Sequence, residues 1–243
     1  MQRIHKSLVL LGAFACINAA LAHTTLETPT MSEGVRVLNN VQIGHACGNG
    51  TSVIGTSVVF PDGADSTLLV NNVAYTGKLS DFITAWGPNI QPLVNRAVFT
   101  DVDEKNDALG NVVGLWAGGG KGMPNHMVGY VPFRVNPTSI NPLSCATSVR
   151  FQVSIVDICE ITTPARLHEP GVAEFWTSNT LKTVYDNSTT DDSARLTITR
   201  NLTTNPLPAS CGGTGTTVDV RISPAQLQRD MPIKYNGVQI WPK

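Results

Sequence analysis

Between residues 148 and 158 the chain reads Ser-Val-Arg-Phe-Gln-Val-Ser-Ile-Val-Asp-Ile, with Val149, Phe151, Val153 and Ile155 at alternate positions. Successive side chains point to opposite faces of a strand, so this spacing gathers an apolar face only when the backbone is extended. Shorter segments of similar character occupy residues 35–43, 51–60, 66–70, 96–100, 112–117, 129–135, 194–200 and 217–222. The 15 Pro and 21 Gly fall largely among these segments, where turns need them. The pattern predicts an all-β chain, an antiparallel β-sandwich of immunoglobulin-like or cupredoxin-like type. Helix is expected to be scarce. Its best start is Ser223-Pro224, an N-cap followed by Pro at the first helical position, opening residues 225–229. A weaker helix is expected over residues 80–86. The strand pattern breaks near residues 164–170, which divides a sandwich over residues 23–163 from a C-terminal extension, 164–243, that packs on it or completes it. Polar stretches at residues 186–193 and 203–216 read as surface connections.

The amino terminus carries three marks of a signal peptide. Arg3 and Lys6 form a positive region, an apolar run extends from Leu8 to Ala15, and Ala20-Leu21-Ala22 places small residues at the cleavage positions. Cleavage after Ala22 makes His23 the first mature residue and predicts a periplasmic or secreted protein. The apolar run is far shorter than the roughly 20 residues of a membrane span, so no transmembrane segment is expected in the mature chain. Loss of Arg3 and Lys6 leaves fifteen basic against eighteen acidic residues, with no basic run to attract nucleic acid or an anionic membrane. Cys47, Cys145, Cys159 and Cys211 remain, an even number in an exported chain, which favours two disulfides. Cys145 and Cys159 flank the long strand and sit too far apart to bond at about 3.3 Å of rise per residue. That leaves Cys47–Cys159 with Cys145–Cys211, or the crossed alternative; the first is preferred.

An N-terminal His has chemistry that an internal one lacks. Its α-amine and imidazole Nδ1 can close a chelate ring on one metal, and the amine titrates near pH 7.7–8.0, so a strongly binding ion displaces its proton. Cu(II) suits such a site, because it tops the divalent affinity order and favours tetragonal nitrogen and oxygen donors. Glu27 falls on the same face as His23 if the segment is extended, and is a candidate oxygen ligand. His45, in Gly44-His45-Ala46-Cys47, stands beside an expected disulfide and is a candidate third donor. Met123-Pro124-Asn125-His126-Met127 combines thioethers with an imidazole after the glycine-rich residues 118–122, read as a loop able to close over a metal held by His23. His126 is therefore a fourth candidate ligand, with Met123 and Met127 as soft donors.

These residues also resemble a family. Ala22-His23-Thr24-Thr25-Leu26-Glu27, then Gly44-His45-Ala46-Cys47-Gly48, then Phe60-Pro61-Asp62-Gly63, are similar to the mature start, HGC motif and proline-glycine strand end of YcnI-like exported copper-binding domains. Trp116-Ala117-Gly118-Gly119 and residues 155–160 are similar to the family's WSGG segment and its closing strand with a Cys-Glu pair. The resemblance covers roughly residues 23–160. It implies a β-sandwich whose N-terminal His holds Cu(II) through amine and imidazole, helped by a carboxylate. Two departures stand out: residues 23–61 lack the Trp that the family often places near its metal, and Ala46 replaces the glycine of HGC.

Other chemistries find little support. The chain has no G-x-S-x-G elbow, no H-E-x-x-H helix, no phosphate-binding glycine loop and no Cys pair at zinc spacing. Asp101, Asp103, Glu104 and Asp107 lack the Gly and terminal Glu of a Ca²⁺ loop and read as a solvated turn. The leading expectation is an exported protein that stores, delivers or senses copper, more a carrier than an enzyme. Its expected partners are the copper ion and a copper-transport membrane protein or periplasmic chaperone. A copper-dependent enzyme resembling lytic polysaccharide monooxygenases is the runner-up, and a metal-free structural or adhesive sandwich is the third reading.

Overall fold

The computed structural model describes residues 23–48, 50–84, 86 and 89–243; the expected signal peptide, residues 1–22, lies outside the described residues. In chain order the strands are β1 (Thr25–Leu26), β2 (Thr30–Ser32), β3 (Val37–Ile43), β4 (Ser52–Val59), β5 (Thr67–Val70), β6 (Val73–Tyr75), β7 (Ile83–Thr84), β8 (Ile90–Pro92) and β9 (Asp101–Asn106). There follow β10 (Val112–Pro124), β11 (Gly129–Val135), β12 (Ser139–Ile140), β13 (Ala146–Ile158), β14 (Ala173–Trp176), β15 (Ala194–Thr199) and β16 (Thr216–Arg221). Helix α1 (Pro224–Asp230) and the hairpin of β17 (Ile233–Tyr235) and β18 (Val238–Trp241) close the chain. The fold is all-β. No helix among the described residues is long and apolar enough to cross a membrane.

The long alternating segment is the spine of the molecule. Strand β13 pairs along its first half with β15 and β16 and along its second half with β4 and β14. A ten-stranded sheet forms around it, while β1, β3, β11 and β8 make a separate four-stranded sheet. Val149, Phe151, Val153 and Ile155 join Val41, Val131 and Phe133 of the smaller sheet in one buried core. The pairing is mixed rather than purely antiparallel, because β13 with β16 and β15 with β2 run parallel. The segments after residue 164 thus supply strands of the same sheet.

Toward its end β13 is buried on both faces. Val156 and Ile158 enter a second apolar cluster with Val59, Trp116, Leu227, Met231 and Trp241, on the opposite side of the sheet from the main core. Helix α1 and the final hairpin are its cover. Ser223 caps α1 by accepting from the Gln226 amide at 3.0 Å, and Pro224 occupies its first turn. At the other end of α1, Lys105 reaches in from β9 and donates Nζ to the carbonyls of Asp230, Met231 and Pro232 at 2.7, 3.2 and 2.8 Å. Burial pushes this amine down to about 7, a shift that the nearby Asp230 opposes. Substituting Lys105→Met leaves the Asp230 and Pro232 carbonyls unpaired, while Met231 keeps the Ser57 hydroxyl, and is expected to cost about 3 kcal/mol, read as a lower urea midpoint.

Several local expectations are corrected. The described residues of 80–86 form no α-helix: a single 3-10 turn at Leu79–Asp81 gives way to β7. Residues 96–100 are not a strand, because the Asn95 side chain accepts the Ala97 amide at 3.0 Å and turns the chain. The acidic residues Asp101, Asp103 and Glu104 belong to β9, at the edge of the large sheet, where charge discourages further strand addition. The glycine-rich residues 118–122 are no free loop. They lie within β10 as an irregularity in its pairing with β4, with Gly119, Gly120 and Gly122 at positive φ.

Candidate metal centre

Cys47–Cys159 and Cys145–Cys211 are disulfide-bonded. The first ties the loop after β3 to the end of β13 and so brings His45 beside β14, the strand paired with that end. His45 meets the indole of Trp176, on β14, edge to face with centroids 5.6 Å apart. His23 meets the same indole at 4.8 Å. Trp176 therefore serves both histidines, and it comes from a part of the chain that the family resemblance does not cover.

Each histidine has one ring nitrogen turned toward a protein acceptor. His45 Nδ1 lies 2.7 Å from the Ala46 carbonyl, which can only accept, so in the neutral ring the proton sits on Nδ1 and the lone pair on Nε2. His23 Nε2 faces the Asp192 carboxylate at 3.9 Å, an ion-pair rather than a hydrogen-bond distance, which leaves Nδ1 on the other side of the ring. Carboxylates and carbonyls of this kind commonly orient metal-binding imidazoles. Both His23 and Asp192 are partly exposed, as a site open to an ion requires.

Beneath Trp176 lies a buried carboxylate. Asp157 Oδ2 accepts from the Trp176 indole at 2.9 Å and from the Thr24 hydroxyl at 2.5 Å, while Oδ1 has no hydrogen-bond partner among the described residues. Thr24 reaches Asp157 because alternation turns Thr24 and Leu26 inward and His23 and Thr25 outward. This bond pins the amino-terminal segment across the end of the sandwich. Burial pushes Asp157 up to about 6, against the pull of Thr24, Thr56, Trp176 and the charge of His45. Burial likewise raises Glu174, again opposed by His45.

His45, Trp176, Glu174 and Asp192 line a cavity of about 510 Å³, with His168 on its wall. His168 stacks on Phe175 and turns Nε2 to the Val184 carbonyl at 3.0 Å. The other expected ligands are elsewhere. Glu27 accepts from Asn40 at 2.6 Å on the neighbouring strand. On an extended segment four residues separate its backbone from that of His23 by roughly 13 Å, so a shared face does not make them neighbours. Met123 is buried in the main core, and Met127 is exposed in the turn between β10 and β11. His126 occupies the same turn, with no hydrogen bond, ion pair or ring contact to His23 or His45 among the described residues.

Among the described residues no three His, Cys, Asp or Glu side chains stand close enough to hold a metal by themselves. Trp176, Asp157 and Asp192 were not singled out from the sequence.

No family model matches the chain, and no curated protein matches it. Among solved structures it is similar to an uncharacterized protein from Nocardia farcinica described as having an immunoglobulin-like fold. The two are 12% identical over 73% of this chain and 99% of that chain, with a TM-score of 0.38.

Proposed function

We propose that the mature chain is an exported copper-binding protein that stores, delivers or senses copper outside the cytoplasm. The observation that carries this reading is the pair of histidines on one indole, each with one ring nitrogen turned to a protein acceptor. His23 supplies its amine and Nδ1, His45 supplies Nε2, and Asp192 orients His23. The buried charge of Asp157 favours a cation above it. Cu(II) is the preferred occupant because three nitrogens and an open position suit its tetragonal geometry. A copper-transport membrane protein or a periplasmic chaperone is the expected exchange partner.

The reading is tested by titrating the mature protein with Cu(II) while following tryptophan emission. An ion held by His23 and His45 lies against Trp176, so emission is expected to fall to an end point at one equivalent. Trp176→Phe should remove most of that quench while copper still binds, and His45→Ala should weaken binding by about tenfold. Tight binding that leaves Trp176 emission unchanged would locate the copper elsewhere and sink the proposal.

A further inference from the structure

The first half of β13 and its neighbours β15 and β16 turn a charged face away from the main core. Phe151, Leu196, Val218 and Val220 point into that core, so alternation sends Arg150 and Gln152 of β13, Arg195 of β15, and Asp219 and Arg221 of β16 to the other side. Gln152 and Arg195 are register partners. Arg221 follows Val220, the partner of Phe151, and so stands on the opposite flank of Gln152. Arg195, Gln152 and Arg221 thus form one row across three strands. Strands lie about 4.8 Å apart, which separates the two arginine backbones by roughly 10 Å, a gap that two long side chains can bridge through one small ligand.

The row lines a cavity of about 130 Å³ together with Arg150, Asp219 and Asp191. Three guanidinium groups face two carboxylates there, and both carboxylates are engaged. Asp219 accepts from Arg150 in a bidentate pair, at 2.6 Å from Nε and 2.7 Å from Nη2. Asp191 accepts from Gln152 Nε2 at 3.0 and 2.9 Å and is in no ion pair among the described residues. The Gln152 amide, nearly covered, also reaches Ser193 Oγ at 3.2 Å, so Asp191 is held by a neutral group and not by an arginine. Arg195 and Arg221 are exposed, and their guanidinium groups have no hydrogen bond or ion pair among the described residues. Arg166 and Arg229 are also open to solvent, yet each holds two or more carboxylates.

We infer that this row is a binding site for a small oxyanion, a carboxylate or phosphate group, held between Arg195 and Arg221. A guanidinium presents parallel N–H donors whose spacing matches two oxygens of such a group, and it stays charged at any ordinary pH. The cavity carries one positive charge in excess, which suits a singly charged head group, while Asp191 at its side opposes a higher negative charge. The volume takes the head group alone, and the rest of the ligand extends into solvent over the polar face. This inference does not rest on the copper reading.

Sodium acetate and sodium phosphate are each titrated at pH 6 into the ¹⁵N-labelled mature chain while the arginine Nε–H resonances are followed. Sodium chloride keeps the ionic strength constant, because screening alone shifts exposed charges. The Arg195 and Arg221 signals are expected to move together to saturation with at least one of the two anions, and the lower midpoint names the preferred head group. Arg166, held by Glu160 and Glu169, is the unmoved reference. Arg195→Gln and Arg221→Gln should each weaken binding about tenfold, since each removes one charge-assisted contact. Both side chains are exposed, so both variants should keep the native urea midpoint. If either fails to fold, the Lys substitution there keeps the charge, removes the fork, and should still weaken binding. The inference is overturned if neither anion moves the two signals to saturation, or if chloride alone reproduces the shifts. Unaltered binding by a folded variant at either position also overturns it.

Discussion

A version of the mature chain carrying one extra residue ahead of His23 is expected to bind Cu(II) about a hundredfold more weakly than the chain that begins at His23. The extra peptide bond converts the amine into an amide, which removes one donor and the ring it closes with Nδ1. A tethered second donor acts at a high effective concentration, and losing it forfeits a factor on the order of 10² or more. Every other ligand change should cost less. Glu27→Gln in particular should be nearly silent, because Glu27 is occupied by Asn40 on the exposed face of the smaller sheet. Copper uptake should release protons near neutral pH, since amine and imidazole coordinate only when deprotonated. Isothermal titration in two buffers of different ionisation enthalpy reads the affinity and the proton count together. Equal affinity for the extended and mature chains would remove the His23 chelate from the mechanism.

Asp157→Asn is expected to stabilise the protein at pH 7.5 and to leave it unchanged near pH 4. The native carboxyl is pushed up to about 6 by burial, whereas an unfolded Asp titrates near 3.9. Between these values the folded state binds more protons than the unfolded state, so stability falls as pH rises through roughly 4 to 6. Above that window the full cost remains, about 3 kcal/mol from a shift of about two pH units. An Asn keeps an oxygen to accept from Thr24 and Trp176 and carries no charge to bury. Urea unfolding of both proteins from pH 4 to 8 checks this: the native curve should decline where the variant stays level. Parallel curves would mean that Asp157 does not titrate as its burial implies. The same substitution should weaken Cu(II), because the charge lost is the one held beneath the two histidines.

The all-β architecture was legible because its signal is local. Side-chain alternation is a property of a few consecutive residues, and β13, β11 and β3 follow it. The cap of α1 was readable for the same reason, since Ser223 and Pro224 act within one turn. The strand between Cys145 and Cys159 ruled out a bond between them and left two pairings, of which the fold forms Cys47–Cys159 with Cys145–Cys211. Alternation failed as a guide to proximity. It set Glu27 on the same face as His23, but a strand separates such residues by several ångströms per step.

Tertiary structure alone decided what surrounds the two histidines. Trp176, Asp157 and Asp192 stand far along the chain from His23, and they meet it only because β14 pairs with β13 and Thr24 bonds across the end of the sandwich. The burial of both faces of β13 is equally non-local: Val156 and Ile158 have an inside only once α1 and the final hairpin cover them. Periodicity decides which residues can face a core, because it depends only on the local backbone. Which distant residues share a site depends on strand pairing and layer packing, and those are settled by the whole chain at once.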